Sequence, residues 1–419
     1  MLNILTPQMK SKLVVSIGFE KAMRRRYQLK QWNETLKSVT KFARPGYWAS
    51  VREYEKFARD GHKLVQVSHP DRIGHLCIEV DALLKNLMLQ GRDTKNLVLV
   101  DLKDRFANTH IVEYYKKYLA VAEAPPAADF IRAYGDPDKV VLETRPYALA
   151  LFGSARVYDV YSRWGDRPPL FELSPTDNKA LRDYLRESGM PDDAWYVCLH
   201  AREGGYNSKY EVMHRYRNVD IASYGQAVDE IVRRGGWCVR VGDSSMRPHP
   251  PHPRVIDYAL SARKSPQLDV ALPAACRFFL GSASGAFNLA DIFGRPCVVT
   301  NTAPLSSAYA LKAADIAIAQ RLRDRNGRYL DFAEIMQGEA GEFRLGEQFV
   351  AHGLECVPNS PEDIRDVVVE MMDRLDGTAT YTDDDRRRQQ EFRALFRDGH
   401  YSYGAASSIG RDYLRKYAA

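Results

Sequence analysis

The sequence of 419 residues has few cysteines, no long hydrophobic run and little excess of charge. Its 6 cysteines stand singly, without CxxC pairs or cysteine and histidine at ligand spacing, which argues against a structural zinc site. No stretch approaches the roughly 18 to 20 uncharged apolar residues of a membrane-spanning helix. The N-terminus lacks the apolar segment and cleavage site of a secretory signal. We therefore expect a cytoplasmic protein without a metal or a cofactor.

The charge balance favours anionic partners only weakly. Lysine and arginine number 60 and aspartate and glutamate 54, a net charge of +6. This excess is small for the length and argues against nucleic-acid binding. Part of it is concentrated in residues 10–30, within a segment (1–60) that we expect to be helical. Two interpretations stay open for residues 10–30: a solvated or protein-contacting face, and peripheral contact with the anionic inner face of a membrane.

The hydrophobic pattern predicts an α/β fold. Short apolar runs alternate with helical segments of about a dozen residues, which is typical of parallel sheets with helical crossovers. We expect two Rossmann-like domains facing each other across a cleft, with extra N- and C-terminal helices. The first domain is predicted at 61–174 and the second at 175–360, and residues 361–419 are expected to form helices that pack back across the domains. The predicted strands include 63–67, 96–101, 195–200, 237–241, 278–281 and 296–300.

Ligands of open parallel sheets bind beyond the carboxyl ends of the strands, so the loops after those strands are the expected site. The strongest local signal is Gly281-Ser-Ala-Ser-Gly285, between an apolar strand and a predicted helix (286–293) that contains Asn288. Small residues let backbone amides approach an anion, and Ser282 and Ser284 add hydroxyl donors. The loop is either a phosphate cradle or an ordinary capped turn. It has neither the Walker lysine nor GxGxxG spacing, which argues against P-loop nucleotidases and nicotinamide-binding proteins.

Three further strand ends carry candidate binding residues. His200 and Arg202 follow one strand, where the guanidinium can fork onto a phosphate or pair with a surface carboxylate such as Glu203. Asp220 is expected to cap the next helix. Arg217 and Asn218 lie in the loop before that helix. They can bind a diphosphate or a sugar, or have structural roles only. Gly242 and Asp243 end another strand. The carboxylate of Asp243 can accept a hydrogen bond from a ribose or a base, or it can simply cap the turn.

The first predicted domain offers a candidate base between a strand and a helix. Gly74 permits a tight turn, and His75 follows it at the start of the helix. A histidine there can deprotonate an acceptor hydroxyl, because its ordinary pKa is about 6.5. It can equally cap or pack the helix, and Asp71 is the competing base. The run Asp383-Asp-Asp385 looks like a metal-binding DxD, but its place before a charged helix favours a helix-dipole role.

Several of these motifs, in their order and spacing, resemble those of a family of bacterial glycosyltransferases over roughly residues 60–345. More distantly, the His-x-Arg element and the serine-rich loop are similar to those of GT-B fucosyltransferases, including protein O-fucosyltransferases. Glu203 and Gly204 depart from the fucosyltransferase pattern, so the resemblance does not assign GDP-fucose as donor. The motifs are Arg72-Ile-Gly-His-Leu76, Val197-Cys-Leu-His-Ala-Arg-Glu203, Tyr216-Arg-Asn-Val-Asp220, Arg240-Val-Gly-Asp243, Leu280-Gly-Ser-Ala-Ser-Gly285 and Phe293-Gly-Arg-Pro-Cys-Val-Val-Thr-Asn301.

The resemblance implies a GT-B glycosyltransferase of surface polysaccharide, glycolipid or glycoprotein synthesis, metal-independent and inverting. Its donor would be a nucleotide-sugar, and its acceptor a glycan, a lipid-linked glycan or a protein. The base would be His75 or Asp71. Two other interpretations stay open, a nucleotide-sugar 2-epimerase and a non-catalytic module that binds a nucleotide or a glycan. The residues expected to bind the nucleotide-sugar are His200, Arg202, Arg217, Asn218, Gly242, Asp243, Ser282, Ser284, Gly285 and Asn288.

Overall fold

The computed structural model of the protein describes residues 59–67, 69–100, 105–122, 147–149, 154–205, 211 and 213–418. The chain divides into two compact units, Met1–Gly153 and Ser154–Ala419. The basic segment 10–30 lies outside the described residues. In the part of the chain that is described, no helix combines the length and the apolar character needed to cross a membrane.

The first unit contains a four-stranded parallel sheet of order β3-β2-β1-β4. All four side chains of the Leu-Val-Leu-Val strand β2 are buried, as expected for a parallel strand covered on both faces. The strands are β1 (Lys63–Gln66), β2 (Leu97–Val100), β3 (Ala120–Ala122) and β4 (Tyr147–Leu149), and the helices are α1 (Ile73–Leu89) and α2 (Thr109–Tyr115).

The second unit is built on a seven-stranded parallel sheet of order β13-β10-β9-β8-β5-β6-β7. Its strands are β5 (Tyr196–His200), β6 (Trp237–Arg240), β7 (Val255–Ile256), β8 (Phe279–Ser282), β9 (Cys297–Thr302), β10 (Ile316–Ala319) and β13 (Ser408–Ile409). A separate antiparallel pair joins β11 (Arg321–Arg323) and β12 (Glu355–Val357). The α/β class predicted from the sequence is confirmed.

Helices of the second unit connect and flank these strands. Three of them begin with a Ser-Pro pair, in which the serine hydroxyl accepts from a first-turn amide and proline occupies the first turn, where no amide donor is needed. The helices are α3 (Ser154–Trp164), α4 (Pro175–Glu187), α5 (Gly225–Arg233), α6 (Pro266–Ala275), α7 (Phe287–Ile292), α8 (Phe332–Gln337), α9 (Gly346–Ala351), α10 (Pro361–Leu375), α11 (Asp383–Ala394) and α12 (Arg411–Tyr417).

The boundary between the units precedes the position predicted from the sequence. The sequence predicts the boundary between residues 174 and 175, whereas the compact units divide after Gly153. Helix α3 belongs to the second unit, where the hydroxyl of the buried Tyr158 donates to the carbonyl of Tyr309 at 2.8 Å. The proline-rich stretch that follows α3 is therefore a connection inside the second unit.

The strand order of the second sheet contains a reversal. From β5 the chain adds β6 and β7 on one side, then crosses over and adds β8, β9 and β10 on the other. Loops leave the carboxyl ends of β5 and β8 in opposite directions at such a point, which opens a crevice where ligands bind in doubly wound sheets. The order of the first sheet has the same reversal between β1 and β4.

Candidate functional site

The reversal point brings the end of β5 against the serine-rich loop after β8. His200 is the last residue of β5, and its Cα partner in β8 is Gly281. A Cβ atom at Gly281 would lie 2.7 Å from the carbonyl oxygen of His200, closer than side-chain carbons approach a backbone. Glycine is therefore needed for the two strand ends to meet.

The imidazole of His200 is buried and bonded at both nitrogens. Its Nδ1 lies 3.0 Å from the carbonyl oxygen of Val241, and its Nε2 lies 3.1 Å from the hydroxyl of Ser284. A carbonyl only accepts hydrogen bonds, so Nδ1 carries a proton. Burial lowers the pKa of His200. In the resulting neutral ring, Nε2 accepts from the hydroxyl of Ser284.

Arg202 is held by contacts from two loops. Its backbone amide donates to the hydroxyl of Ser282 at 2.7 Å. Its guanidinium donates to the side-chain oxygen of Asn218 and to the carbonyl of His214, the latter at 3.3 Å. The alternative ion pair does not involve Glu203, whose carboxylate accepts from Arg240 at 3.0 Å, but the guanidinium of Arg202 does lie 3.9 Å from a carboxylate oxygen of Glu211.

Arg217 approaches the same loop from the short 3-10 turn Arg215–Arg217. Its guanidinium donates to the carbonyl of Ala283, between the two serines. Burial and the nearby charge of Arg217 both lower the pKa of Arg202, so the two guanidiniums lie within electrostatic reach of each other. Two arginines beside a hydroxyl-rich loop can bind a doubly or triply charged anion through several charge-assisted hydrogen bonds.

Gln320 supports this turn and was missed in the sequence. It directly follows β10, is buried, and donates from its side-chain nitrogen to the carbonyl of Tyr216 at 3.0 Å. The hydroxyl of Tyr216 donates in turn to the carbonyl of Arg344 at 3.1 Å. These bonds fix the residue before Arg217. A signal that could have found Gln320 is its position at the carboxyl end of a strand.

The helix after the loop contributes less than the sequence suggests. It begins at Phe287 and ends at Ile292, 6 residues, where we predicted residues 286–293. The dipole of so short a helix attracts an anion weakly. Gly285 precedes it, and its carbonyl accepts from the amide of Asn288 at 3.3 Å. The attraction for an anion therefore comes mainly from Arg202 and Arg217.

Several predicted binding residues have structural partners instead. The amide nitrogen of the Asn288 side chain donates to the buried Asp291 at 3.2 Å. Asp243 accepts from the backbone amide of Ser245 at 2.9 Å and thereby closes a turn. At Gly242, a Cβ atom would lie 2.2 Å from the sulfur of Met246, so this glycine makes room for that side chain.

The predicted helix cap at Asp220 is confirmed in position. Its carboxylate accepts from the amide of Ala222 at 3.1 Å, at the start of the 3-10 turn Ile221–Tyr224 that precedes α5. A cavity of about 380 Å³ opens beside it. The residues lining the cavity are Glu203, Gly204, Asn218, Val219, Asp220, Ser245 and Arg247.

A buried acidic group near Asn288 has the donor atoms of a metal site. Ligand atoms of Asp291, Cys297 and Asp315 lie within 4.8 Å of one another. The ammonium of Lys312 already contacts Asp291 and lies 3.2 Å from Asp315. Burial raises the pKa of Asp315 to about 6. We assign the group as a structural ion cluster, because the ammonium of Lys312 already contacts both carboxylates where a cation would have to bind.

The acidic run before α11 also has a structural role. Thr382 caps that helix by accepting from the amide of Asp385, and the Asp385 carboxylate accepts in return from the amide and the hydroxyl of Thr382. The two oxygens of Asp385 also accept from Arg415 at 2.6 and 2.7 Å. This agrees with the helix-terminus interpretation of the sequence.

In the first unit, His75 lies in the first turn of α1 and is paired with a carboxylate. Its Nδ1 lies 2.7 Å from an oxygen of Glu79, which is buried, while 34% of the His75 side chain is exposed. The ring of His69 packs edge-on against His75 at 4.9 Å. A carboxylate that accepts from Nδ1 makes Nε2 the proton-accepting nitrogen. Asp71 is exposed in the preceding loop. Glu79 was missed, although its spacing of four residues from His75 in a helix was a usable signal.

No protein-family model and no curated protein matches the chain. Among solved structures, it is similar to a glycosyl transferase family 9 protein from Veillonella parvula DSM 2008, with a TM-score of 0.44, 12% identity, and coverage of 75% of this chain and 97% of that one. It is similar to E. coli ADP-heptose LPS heptosyltransferase II, with a TM-score of 0.35, 12% identity, and coverage of 57% and 84%. It is also similar to the wall teichoic acid polymerase TagF, with a TM-score of 0.31, 10% identity, and coverage of 93% and 97%. These three TM-scores are all below 0.5.

Proposed function

We propose that the protein is a glycosyltransferase of the GT-B type that binds the diphosphate of a nucleotide-sugar at the reversal point of its second sheet. The observation that carries the proposal is the convergence of Arg202, Arg217 and the serine-rich loop at the carboxyl ends of β5 and β8. Ligands of doubly wound sheets bind at this place. Arginine forks and hydroxyls are suited to phosphate oxygens.

The two guanidiniums would also act in the reaction. Departure of a nucleoside diphosphate builds negative charge on its leaving oxygen, and fixed positive groups lower the barrier by stabilising that charge. Arg202 and Arg217 are held in place by Ser282, Asn218 and the carbonyl of Ala283, so little reorganisation is needed. This positive charge is the basis for proposing metal-independent transfer.

The base in the proposed reaction is His75. Inverting displacement requires a group that deprotonates the acceptor hydroxyl on the face opposite the leaving diphosphate. The pairing of His75 with Glu79 fixes the tautomer that such a base needs. Asp71 remains the competing candidate, and the acceptor class is a glycan, a lipid-linked glycan or a protein. Peripheral membrane contact through residues 10–30 is part of the same proposal.

Calorimetric titration with ADP, GDP, UDP, TDP and CMP, with and without magnesium, tests the donor site. We expect one nucleotide to bind saturably and independently of magnesium, and Arg202→Ala to abolish that binding. Arg182→Ala is the matched control, since Arg182 is exposed on α4. A folded protein that binds none of these nucleotides would overturn the proposal.

A second assay separates transfer from the two other interpretations. The nucleotide-sugar of the base found by calorimetry is incubated with the protein, with and without a mixture of glycan acceptors. Release of the diphosphate with a labelled acceptor supports transfer. An epimerised sugar without an acceptor indicates a 2-epimerase, and binding without turnover indicates a binding module.

A further inference from the structure

The hydrogen bonds of His200 leave Ser284 with its proton directed into the protein. Nδ1 of His200 must donate to the carbonyl of Val241, so Nε2 of the neutral ring can only accept. The hydroxyl of Ser284, 3.1 Å away, must therefore donate to Nε2. In this state its oxygen presents only lone pairs to a ligand, and these repel phosphate oxygens.

A proton on Nε2 reverses the direction of this hydrogen bond. An imidazolium donates from both nitrogens, so Nε2–H would donate to the oxygen of Ser284. The hydroxyl hydrogen is then released and can turn toward a phosphate oxygen. The same proton adds a positive charge beneath the serine-rich loop, beside Arg202 and Arg217.

From this geometry we infer that His200 and Ser284 form a relay that takes up one proton from solvent when a diphosphate binds. The inference rests on the proposed function and concerns the charge state of the same site. One N–H bond forms at Nε2 and one O–H bond of a solvent hydronium breaks, while the hydroxyl hydrogen of Ser284 stays bonded to its oxygen and exchanges Nε2 for a phosphate oxygen as its acceptor.

The groups around His200 set the balance between the two states. Burial lowers the pKa of His200, and the charges of Arg240 and Arg202 lower it further. The Val241 carbonyl and Asp243 act in the opposite direction. Asp243 lies one residue beyond Gly242, Arg240 ends β6, Arg202 follows β5, and Ser284 contributes from the loop after β8. Without ligand the ring is neutral, and a bound dianion supplies the negative charge that favours its protonated form.

The relay gives the site a preference for phosphates with two negative charges, which the arginines alone would not give. A terminal phosphate with two negative charges stabilises the imidazolium more than a phosphodiester with one. We therefore expect a nucleoside diphosphate, or inorganic pyrophosphate, to bind with proton uptake. A dinucleotide whose phosphates are all diesterified should bind more weakly and without it.

The test measures, by calorimetry, the number of protons taken up when inorganic pyrophosphate binds at millimolar concentration. The titration is done in two buffers of different ionisation enthalpy, at about pH 7.5, which lies above the ordinary histidine pKa. Subtracting the count for His200→Gln removes the protons that the ligand itself gains or loses. We expect the wild type to take up close to one proton more than the variant. Ser282→Ala, which leaves His200 intact, should retain the wild-type proton count even where its affinity is lower.

The outcomes are distinguishable. Binding with equal proton counts in the wild type and His200→Gln overturns the relay but leaves the proposed function standing. Absence of binding by pyrophosphate and by all the nucleotides overturns both. Nitrogen NMR of the ligand-free protein gives a second measurement that needs no ligand, with His200→Gln identifying the signal. A neutral ring with Nε2 protonated instead of Nδ1 would overturn the relay.

Discussion

The backbone amide of Arg202 donates to the hydroxyl of Ser282, 2.7 Å away across the ends of two adjacent strands. Ser282 is buried, so no solvent replaces this acceptor if the hydroxyl is removed. We expect Ser282→Ala to cost about 1 to 2 kcal/mol of folding free energy through the unpaired amide. A displaced Arg202 should also weaken nucleotide binding about tenfold, the equivalent of 1.4 kcal/mol.

Urea unfolding and calorimetric titration measure the two effects. Ser188→Ala is the matched control, because the hydroxyl of Ser188 also bonds a backbone group, the carbonyl of Tyr184, but at the end of α4. Equal nucleotide affinities of Ser282→Ala and Ser188→Ala would contradict the proposal that Ser282 holds Arg202 in place for nucleotide binding.

A second prediction concerns the contribution of Lys312 to stability. Lys312→Met leaves the carboxylates of Asp291 and Asp315 buried without their cation, and we expect a loss of about 3 to 5 kcal/mol in unfolding free energy near neutral pH. Since the pKa of Asp315 is raised to about 6, its protonated form is favoured as pH falls below that value. The loss should therefore shrink in mild acid.

Urea unfolding at several pH values checks this. Lys264→Met is the control, since Lys264 pairs with Asp269 in a half-buried position. A loss no larger than that of the control, or one that grows in acid, would show that Lys312 does not balance the cluster.

The pKa of Asp385 is shifted in the opposite direction to that of Asp315. Hydrogen bonds from Arg415 lower the pKa of Asp385 to about 2, below its ordinary value of 3.8. The stabilisation is complete above the unfolded pKa and is lost as pH falls from about 4 toward about 2. We expect Asp385→Asn to lose about 2 kcal/mol at neutral pH and to approach the wild type near pH 2.

Thermal unfolding across this acid range is the measurement. Asp383→Asn, at an exposed position in the same first turn, should follow the wild-type pH profile. If Asp385→Asn kept a constant deficit at every pH, the ion pair with Arg415 would not be the origin of the shift.

The pair of His75 and Glu79 distinguishes the two candidate bases. If His75 is the base, His75→Ala should lower kcat by about 10²- to 10⁴-fold, and Glu79→Gln by a smaller factor. The KM for the donor should change little, and Asp71→Asn should remain active. Steady-state kinetics with the identified donor gives both constants.

Glu113→Gln is the control for a glutamate in the first unit, because Glu113 is exposed and pairs with its helix neighbour Lys116. A large loss of kcat in Asp71→Asn, with His75→Ala active, would transfer the role of base to Asp71.

The sequence was most informative about the central strands. β5, β8 and β9 each begin with an apolar run and are buried along their whole length, and such runs are typical of buried parallel strands. β10 was missed, because Ile-Ala-Ile-Ala is half alanine, a residue with little strand preference. Missing β10 also hid Gln320, whose role depends on following that strand.

The site was predictable only in part. The loops at the strand ends follow from the order of elements, and His200, Arg202, Ser282 and Ser284 do come together. Their pairing joins residues 80 or more positions apart, so it is set by strand register rather than by any local pattern. The bond from Asn288 to Asp291, by contrast, joins residues three apart in one helix, so their spacing was a usable local signal.

The place of β13 in the second sheet has a consequence for biosynthesis. Ser408 and Ile409 extend the sheet beside β10, a strand that is made some ninety residues earlier. While the chain is being synthesised, β10 presents an unpaired edge that no later segment can cover until residue 409 has left the ribosome. The nascent chain therefore exposes an apolar strand edge between the synthesis of β10 and that of β13.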